Sequence, residues 1–328
     1  MVIFWVSVLA LSILLYVLLD GFDLGVGILF GFTREQSRRR AMMSAVAPVW
    51  DGNETWLVVA GVVLWGAFPV VYATLFSALY LPLLLMLAGL ILRGVAFEFR
   101  NKAQRMRWVW DVAFSGGSLV AAFMQGLMVG ALVEGLPLSH GEYAGGEFGW
   151  LSPFAVLCGA GLALSYSLLG ACWLIRKSDG EPQAAAYRLI RPLSLGLLLV
   201  LVVVFIFALG ENLRVMPRWL ERPYLFVFPL IGIVASIVLA VSVRQRRDGP
   251  PFYMAAAIFA AAFGTFAITF WPYMIPFSIT VDQAAAPHAS LAFMFWGAGL
   301  FVLPLMLVYT AISYRVFRGK VQPTSRDY

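Results

Sequence analysis

The sequence predicts an all-α integral membrane protein with about nine transmembrane helices. Hydrophobic residues make up 62% of the 328 residues and charged residues only 12%, and the mean hydropathy is +0.87. A soluble domain, in contrast, carries about 25% charged residues. The apolar segments are long and continuous and do not alternate at every second residue, which favours helices over a β-barrel.

Nine segments approach the length of about 20 apolar residues that one membrane-spanning helix needs. They cover residues 2–32, 41–72, 76–99, 108–133, 150–175, 192–211, 223–243, 252–273 and 289–314. Pro48 and Gly52 are expected to break the second segment. Pro272 and Pro276 are expected to end the eighth in an outer loop or a short re-entrant piece. The tail after Phe317 is expected to be the least ordered part of the chain.

Basic residues cluster in the short connections after the first, third, fifth and seventh segments and in the tail. The clusters are Arg34, Arg38, Arg39 and Arg40; Arg100, Lys102, Arg105 and Arg107; Arg176, Lys177, Arg188 and Arg191; Arg244, Arg246 and Arg247; and Arg315, Arg318, Lys320 and Arg326. With nine spans all five fall on one side, which is predicted to be cytoplasmic, so the N-terminus lies outside and the C-terminus inside. Arg214, Arg218 and Arg222 in an outer loop are the exception. The net charge of +6 is thus interpreted as orienting helices in lipid, not as nucleic-acid binding.

Polar residues interrupt the first two apolar segments. They are Asp20, Asp23, Asp51, Asn53 and Glu54. Ionisable groups inside a membrane are costly and are functional by default. Trp50 and Trp56 flank the polar residues of the second segment. They are expected either to shield a site or to stack on a ring-bearing cofactor of a partner.

The spacing of these acids predicts that the first two helices place them at a common depth. Asp23 lies eleven residues before Arg34, and Asp51 lies eleven residues after Arg40. At 1.5 Å per residue, both carboxyl groups lie about 16 Å from the basic turn. The hairpin is therefore expected to bring Asp23 and Asp51 near each other, and Asp20 shares a helix face with Asp23.

The third segment adds an arginine at a similar depth. Arg93 lies seven residues before Arg100, which places it roughly 10 Å inside the same surface, with Glu98 between them. A graded series of ionisable groups from the cytoplasmic face inward is what a proton path needs. The alternative is that these groups pair only to stabilise helix packing. From the residues alone, the two interpretations have even weight.

The chain offers few ligands for a redox cofactor. His140 and His288 are its only histidines, and both fall in or beside outer loops. Haem in a membrane bundle usually needs an axial His, Met or Cys within a helix. Cys158 and Cys172 share one apolar segment, which argues against a disulfide framework or a thiolate metal site. No metal site is therefore expected, and the chain is a poor candidate for carrying several haems itself.

Several motifs resemble subunit II of the cytochrome bd-type quinol oxidases. They are DGFDLGVG at 20–27, APVWDGNETWLV at 47–58, FPVVYATLFSALYLP at 68–82, RGVAFEFR at 93–100 and, more weakly, WPYMIPFSIT at 271–280. The short chain looks like the compact, cyanide-insensitive-like forms. The resemblance implies two four-helix bundles, here over 1–134 and 150–273, and a ninth, peripheral helix over 289–314.

The resemblance also implies a reaction and a partner. Quinol would be oxidised, O2 reduced to water and protons taken up from the cytoplasm, which generates a proton-motive force across a bacterial cytoplasmic (inner) membrane. Haems b and d and the quinol site would lie in the haem-bearing subunit I, so no catalytic residue is expected in this chain. Some members hold a quinone tail in this subunit, so the resemblance also allows a structural quinone in this chain. It likewise allows a small single-helix accessory subunit as a further partner.

The resemblance assigns roles to the acids. In the family, a carboxylate at the position of Asp51 belongs to a hydrophilic path that feeds protons toward the subunit interface, and Asp23 matches the neighbouring acidic position. Glu54 stands where other members have Gln, which adds an ionisable group. Two alternatives remain: an ion-coupled secondary transporter that uses the same carboxylates, or a purely structural assembly subunit.

Overall fold

The computed structural model describes residues 1–100, 102–103, 105–139, 142–210 and 223–321. The helices are α1 (Val2–Gly31), α2 (Gln36–Val46), α3 (Trp50–Ala67), α4 (Pro69–Ala78), α5 (Tyr80–Phe99), α6 (Arg107–Glu134), α7 (Pro153–Lys177), α8 (Gly180–Gly210), α9 (Val227–Arg244), α10 (Pro250–Phe270), α11 (Val281–Ala284), α12 (His288–Met294) and α13 (Val302–Val316). The strands form two short antiparallel hairpins, β1 (Leu138–Ser139) with β2 (Glu142–Tyr143) and β3 (Tyr273–Ile275) with β4 (Ile279–Thr280).

The helices confirm the prediction of an all-α membrane protein. Within the described ranges, eight helical segments are long and apolar enough to cross a membrane. A ninth is obtained if α3 and α4, which meet at an angle of 118°, form one broken span. The end that carries the basic connections is called the predicted cytoplasmic end below, because its orientation comes from loop charge.

The second span differs from its prediction. Pro48 does interrupt the chain, because α2 has ended and α3 begins only at Trp50. Gly52, however, lies inside the first turn of α3 and breaks nothing. The sharp bend comes at Phe68 instead, where the following Pro69 starts α4. Proline is well suited to the first turn of a helix, since the amide hydrogen that it lacks has no partner there.

Three other boundaries differ from the hydropathy segments. The third span begins at Tyr80, because residues 69–78 belong to the separate α4. The sixth begins at Gly180, and Pro192 lies inside α8 instead of at its start. Hydropathy missed these residues because the first turns of α8 are polar and extend the helix toward the predicted cytoplasmic end. The last span is divided by a π-helical turn over Phe295–Gly299.

Helix α1 lies at the centre of the packing. It contacts α3, α6 and α7, while α5 packs on α6, α7 packs on α8 and α10, and α9 packs on α10. The crossing of α1 and α7 is very close: a Cβ atom at Gly25 would lie 1.8 Å from the carbonyl oxygen of Tyr166. Small residues allow such backbone approach between membrane helices. The acidic part of α1 is therefore enclosed by other helices.

The segment after α10 packs over the end of α3, and its place outside the membrane stays a prediction. The β3–β4 hairpin and α11 pack Ile275 and Val281 into the same apolar cluster as Trp5. The Ala286 amide donates to the carbonyl of Ala67 at 2.8 Å, which joins this segment to the end of α3. The outer end of α3 is thus closed by backbone hydrogen bonding and apolar packing.

The first residues of the tail, 318–321, are bound to the rest of the structure, and residues 322–328 lie outside the described residues. Lys177 donates from Nζ to the carbonyls of Phe317 and Gly319, and the Val321 amide donates to the carbonyl of Lys177 at 2.8 Å. Lys320 pairs with Asp179 at 2.6 Å and with Asp248 at 2.8 Å. The tail is therefore held against the connections after α7 and α9. His140, Arg214, Arg218, Arg222 and Arg326 lie outside the described residues.

Candidate functional site

Three helices bring five polar side chains together inside the helix packing. We call them the Arg93 cluster: Asp20 and Asp23 from α1, Asn53 and Glu54 from α3, and Arg93 from α5. The exposed fractions of Asp20, Asp23, Asn53 and Arg93 are between 0% and 2%. At such burial, polar groups are costly unless they are paired with one another.

Arg93 links the three helices of the cluster. Its Nη1 donates to Asp20 Oδ1 at 2.7 Å, and its Nη2 donates to Glu54 Oε2 at 2.9 Å. The pair with Asp20 is fully enclosed, while the side chain of Glu54 remains 29% exposed. One cation therefore faces three carboxyl groups, counting Asp23.

Asn53 connects Asp23 to the last helix. Its Nδ2 donates to Asp23 Oδ2 at 2.7 Å and to the carbonyl of Leu19 at 3.1 Å. Its Oδ1 accepts a hydrogen bond of 2.9 Å from the hydroxyl of Tyr314 on α13. Both ends of the amide are thus occupied, which holds one oxygen of Asp23 in place.

Several buried polar atoms of the site have no hydrogen-bond partner among the described residues. They are Asp20 Oδ2, Asp23 Oδ1, Arg93 Nε and Trp56 Nε1. Asp23 and Arg93 also line a small cavity, together with Val46, Trp50, Phe97 and Phe114. The acidic stretch therefore borders a small pocket that packing does not completely fill.

Asp51 lies three residues before Glu54 on α3 and interacts with it electrostatically, but it is not hydrogen-bonded to Asp23. It is exposed, and its side chain makes no hydrogen bond or ion pair within the described part of the chain. The direct hydrogen-bond partner that α3 offers to Asp23 is Asn53, and the approach of Asp23 and Asp51 stays a prediction. Two residues along a helix turn the side chain by about 200°, so Asp51 and Asn53 face opposite ways although their depths are similar.

Arg100 and Glu98 do not extend the cluster. Glu98 is exposed, because it follows Arg93 by five residues and so points to a different face of α5. Arg100 is 1% exposed, but it donates to Asp111 Oδ1 at 2.5 Å and to Gln36 Oε1 at 3.0 Å. The expected series of groups from Arg100 inward to Arg93 is thus not continuous in the structure.

Arg100 belongs instead to an ionic clamp near the predicted cytoplasmic end. Asp111 accepts a second hydrogen bond, of 2.5 Å, from Nη1 of Arg39. Both guanidinium groups lie over the ring of Phe30, at 4.8 Å and 5.1 Å from its centroid. The clamp joins the basic turn after α1 to α5 and α6, which is a structural role.

The two tryptophans shield the cluster. The Trp50 ring packs 5.2 Å from the ring of Phe97 and lines the cavity beside Asp23. Trp56 is only 1% exposed. A ring that is enclosed to this extent cannot stack on a cofactor held by another chain, so the stacking alternative does not apply to Trp56.

A second buried polar chain was not expected from the sequence. Gln125 donates from Nε2 to the Tyr16 hydroxyl at 2.7 Å and accepts from the Tyr166 hydroxyl at 2.8 Å. Tyr16 lies one helical turn before Asp20 and interacts with it electrostatically. Its position four residues before Asp20 is the sequence feature from which a contact of Tyr16 with the acidic stretch could have been predicted. Nothing in the sequence relates Gln125 or Tyr166 to it, because three different helices supply these residues.

Of the two histidines, the structure describes only His288. His288 starts α12 and is exposed. Across the described ranges, no group of three or more His, Cys, Asp or Glu side chains is arranged to hold a metal ion. Cys158 and Cys172 are free thiols.

Comparison with known proteins identifies the family. The family described as cytochrome bd terminal oxidase subunit II matches residues 1–317. The chain is 31% identical to the probable cytochrome oxidase subunit 2 of Haemophilus influenzae, over 99% of this chain and 96% of that protein. It is 30% identical to the cytochrome bd-I ubiquinol oxidase subunit 2 of Escherichia coli K12, over 97% and 94%. It is 29% identical to the cytochrome bd ubiquinol oxidase subunit 2 of Bacillus subtilis, over 97% of this chain and 96% of that protein.

The fold agrees with this assignment. A solved structure of the bd oxidase from Geobacillus thermodenitrificans contains a chain that matches with a TM-score of 0.79, over 96% of this chain and 98% of that chain. At 18% identity this likeness shows the fold alone. The sequence matches carry the assignment, which the motifs at 20–27, 47–58 and 93–100 had predicted. The chain therefore belongs to the family of subunit II of the cytochrome bd terminal oxidases.

Proposed function

We propose that this chain is the non-haem subunit of a quinol:O2 oxidoreductase in the bacterial cytoplasmic membrane, where it supports subunit I and supplies a proton-uptake path. Membership of the subunit II family implies the partner subunit I. Haems b and d and the quinol site are assigned to that partner, because the described residues of this chain offer no membrane-embedded histidine. The observation that carries the proton path is the Arg93 cluster, in which three carboxyl groups share one buried cation.

The path begins at the break between α2 and α3. Val46 and Trp50 stand on either side of this break and line the cavity beside Asp23. A break in a helix exposes backbone groups that water can reach, which makes it a suitable entry point. Asp23 then receives the proton, and Arg93 and Asp20 balance the charge of the site.

Glu54 and Asp51 are proposed to pass the proton on to subunit I. Glu54 is the one acid of the Arg93 cluster that is partly exposed, and Asp51 is exposed on the same first turns of α3. An uncovered acid at this depth in lipid would cost several kcal/mol. A partner subunit that covers this face of α3 removes that cost and gives the proton a destination. Glu98 and Arg100 are left out of the path, because one is exposed and the other belongs to the ionic clamp.

No observation supports a structural quinone or a small accessory subunit. The two best-formed cavities of the described residues provide about 10 Å³ each for water-sized occupants, which does not support a quinone ring inside the chain. A small accessory subunit remains a proposal from the family resemblance only. The transporter alternative is not favoured, since the comparisons relate the chain to oxidase subunits over nearly its whole length.

The test uses the purified oxidase complex. Asp23→Asn and Asp51→Asn are expected to lower quinol oxidase turnover by about 10²-fold or more, the usual scale for removal of a proton-transferring group, while the haem spectra stay normal. Asp282→Asn is the matched control, because this acid is exposed in the outer segment and far along the chain from the cluster.

Two results would overturn the proposed path. Unchanged turnover in both variants would leave only the structural alternative, in which the acids stabilise helix packing. Loss of all haem from the complex would show that the acids serve assembly. Copurification with a larger, haem-coloured subunit tests the partner separately, because a transporter would be isolated as a stable and active chain without it.

A further inference from the structure

The last helix, α13, contacts the site through a single tyrosine. None of the residues of α13 is buried within the described part of the chain, so apolar packing alone does not fix its rotation. Near its C-terminal end, the Tyr314 hydroxyl reaches Asn53 on α3, and the Tyr314 ring lies against Trp173 on α7. These two contacts therefore decide how this end of α13 faces the rest of the molecule.

The orientation of the Asn53 amide is fixed by groups that can only accept hydrogen bonds. A backbone carbonyl has no hydrogen to donate, so the nitrogen of Asn53 must face the carbonyl of Leu19, 3.1 Å away. The same nitrogen donates to Asp23 Oδ2 at 2.7 Å. The Asn53 oxygen then faces Tyr314, whose hydroxyl donates the remaining hydrogen bond of 2.9 Å. The direction of all three hydrogen bonds is thus determined.

The Tyr314 hydroxyl is the one donor of this set that faces the Asn53 oxygen. Asn53 is 1% exposed, and a buried acceptor that loses its donor carries a desolvation cost. Turning the amide over would place its oxygen against the Leu19 carbonyl and the Asp23 carboxyl group, which also accept. Tyr314 therefore favours the orientation in which Asn53 donates to Asp23.

The position of Tyr314 is set by α7. The rings of Tyr314 and Trp173 lie 6.1 Å apart at an angle of 69°. Trp173 is 3% exposed and donates from Nε1 to the carbonyl of Ala45 at 3.0 Å, so this ring is itself held between α7 and α2. The tyrosine ring consequently rests on a side chain that has little freedom to move.

The residues after α13 also hold Tyr314 in place. We call residues 317–321 the tail strap. Lys177 Nζ donates to the carbonyls of Phe317 and Gly319, and the Val321 amide donates back to the Lys177 carbonyl at 2.8 Å. A cation is favourable at the C-terminal end of a helix, where the last carbonyls lack partners. The strap therefore joins the end of α13 to α7, beginning three residues beyond Tyr314.

We propose that Tyr314 is a positioning residue for the site. Its hydroxyl, held by Trp173 and the tail strap, keeps the Asn53 amide turned so that its nitrogen, and not its oxygen, faces Asp23. Tyr314 exchanges no proton in this role, because its hydroxyl hydrogen remains directed at Asn53. The expected effect on turnover rests on the proposed function, in which Asp23 takes part, whereas the contact between Tyr314 and Asn53 does not.

The first test removes the hydroxyl and keeps the ring. In the purified complex, Tyr314→Phe is expected to lower kcat for quinol oxidation about three- to tenfold, the rate equivalent of one neutral hydrogen bond, with an unchanged KM for quinol and normal haem content. Tyr253→Phe is the matched control. It removes the hydroxyl of an exposed tyrosine on α10 that makes no hydrogen bond within the described ranges, and it should change none of the three quantities.

A double-mutant cycle shows whether Tyr314 acts through Asn53. Asn53→Leu replaces the amide by an apolar group of similar size. Adding Tyr314→Phe to this variant is expected to lower kcat no further, because the hydroxyl no longer has an acceptor. The same cycle, measured on the temperature at which half of the complex dissociates, reports the contact without reference to turnover.

The tail strap is tested by removing residues 318–328. This truncation is expected to lower kcat in the wild-type background and to add nothing to Tyr314→Phe, since the strap acts by holding the hydroxyl. An equal loss of kcat in both backgrounds would overturn the part assigned to the strap.

The outcomes separate this proposal from the proton path. If Tyr314→Phe keeps wild-type kcat while Asp23→Asn loses turnover, the positioning role is wrong and the path stands. An equal loss of kcat from Tyr314→Phe with and without Asn53→Leu also refutes it, because Tyr314 would then act by packing alone. If Asp23→Asn keeps turnover, the proposed function fails, and additive losses in the dissociation temperature would refute the contact as well. Should Asn53→Leu not assemble, Asn53→Ala takes its place in both cycles.

Discussion

Replacement of Arg93 by methionine is the sharpest test of how the site is held together. The change keeps a long side chain in place and removes the only cation of the cluster. Asp20 is 0% exposed and its pair with Arg93 is enclosed, so breaking this pair leaves an uncompensated charge at a cost of about 3–5 kcal/mol. The pair with Glu54 contributes less, about 0–1 kcal/mol, because solvent or a covering partner reaches the 29% exposed acid.

A double-mutant cycle checks the cause of this loss. If the cost comes from the unpaired charge of Asp20, combining Asp20→Asn with Arg93→Met restores most of the lost stability, because neither charge of this pair remains. The measured quantity is the temperature at which half of the detergent-solubilised complex dissociates, followed by size-exclusion chromatography. Arg188→Gln is the control, because its pair with Glu181 is 65% and 48% exposed and is worth about 0–1 kcal/mol.

The result that would refute this reasoning is a double variant as unstable as Arg93→Met alone. In that case packing of the arginine stem, and not its charge, would hold α1 and α5 together. An Arg188→Gln variant as unstable as Arg93→Met would also refute it, because burial would then make no difference to the value of an ion pair.

Two further predictions concern the packing of α1 and the tail. Gly25→Ala is expected to abolish assembly of the complex, because the new Cβ would lie 1.8 Å from the Tyr166 carbonyl oxygen. Gly116→Ala is the control and should assemble normally, because its new Cβ would meet nothing within 4 Å. The yield of purified complex measures both results. Partial burial raises the pKa of the Asp248 carboxyl, but hydrogen bonds, first that from Lys320, outweigh this and lower it overall. The pKa of Lys320 is raised, mainly by its hydrogen bonds to carboxylates. The ion pair that holds the tail is therefore expected to be complete between about pH 4 and 10. It is lost as the pH falls through the lowered pKa of Asp248 or rises through the raised pKa of Lys320. Protease cleavage after residue 317 measures this, and cleavage that is equally slow at pH 3 and pH 7 would contradict it.

The sequence alone determined the class of protein, the approximate positions of most spans and the location of the acids along the chain. These follow from local properties, because a membrane helix needs a continuous apolar segment and an acid within one is visible as an exception. Counting from the basic turn also gave Asp23 and Asp51 a common depth, since the rise per residue is constant. The positions of the two histidines, in or beside outer loops, could also be read directly from the sequence.

Only the tertiary structure decided which groups meet. Asn53, and not Asp51, contacts Asp23, because two residues along α3 reverse the direction of a side chain and depth alone does not specify rotation. Arg100 pairs with Asp111 in the ionic clamp, a partner supplied by the start of α6. The Tyr16–Gln125–Tyr166 chain comes from three helices far apart in sequence. The rotation of each helix and its choice of neighbours depend on packing across the whole molecule, so the cavity between Asp23 and Arg93 has no signature in any single segment.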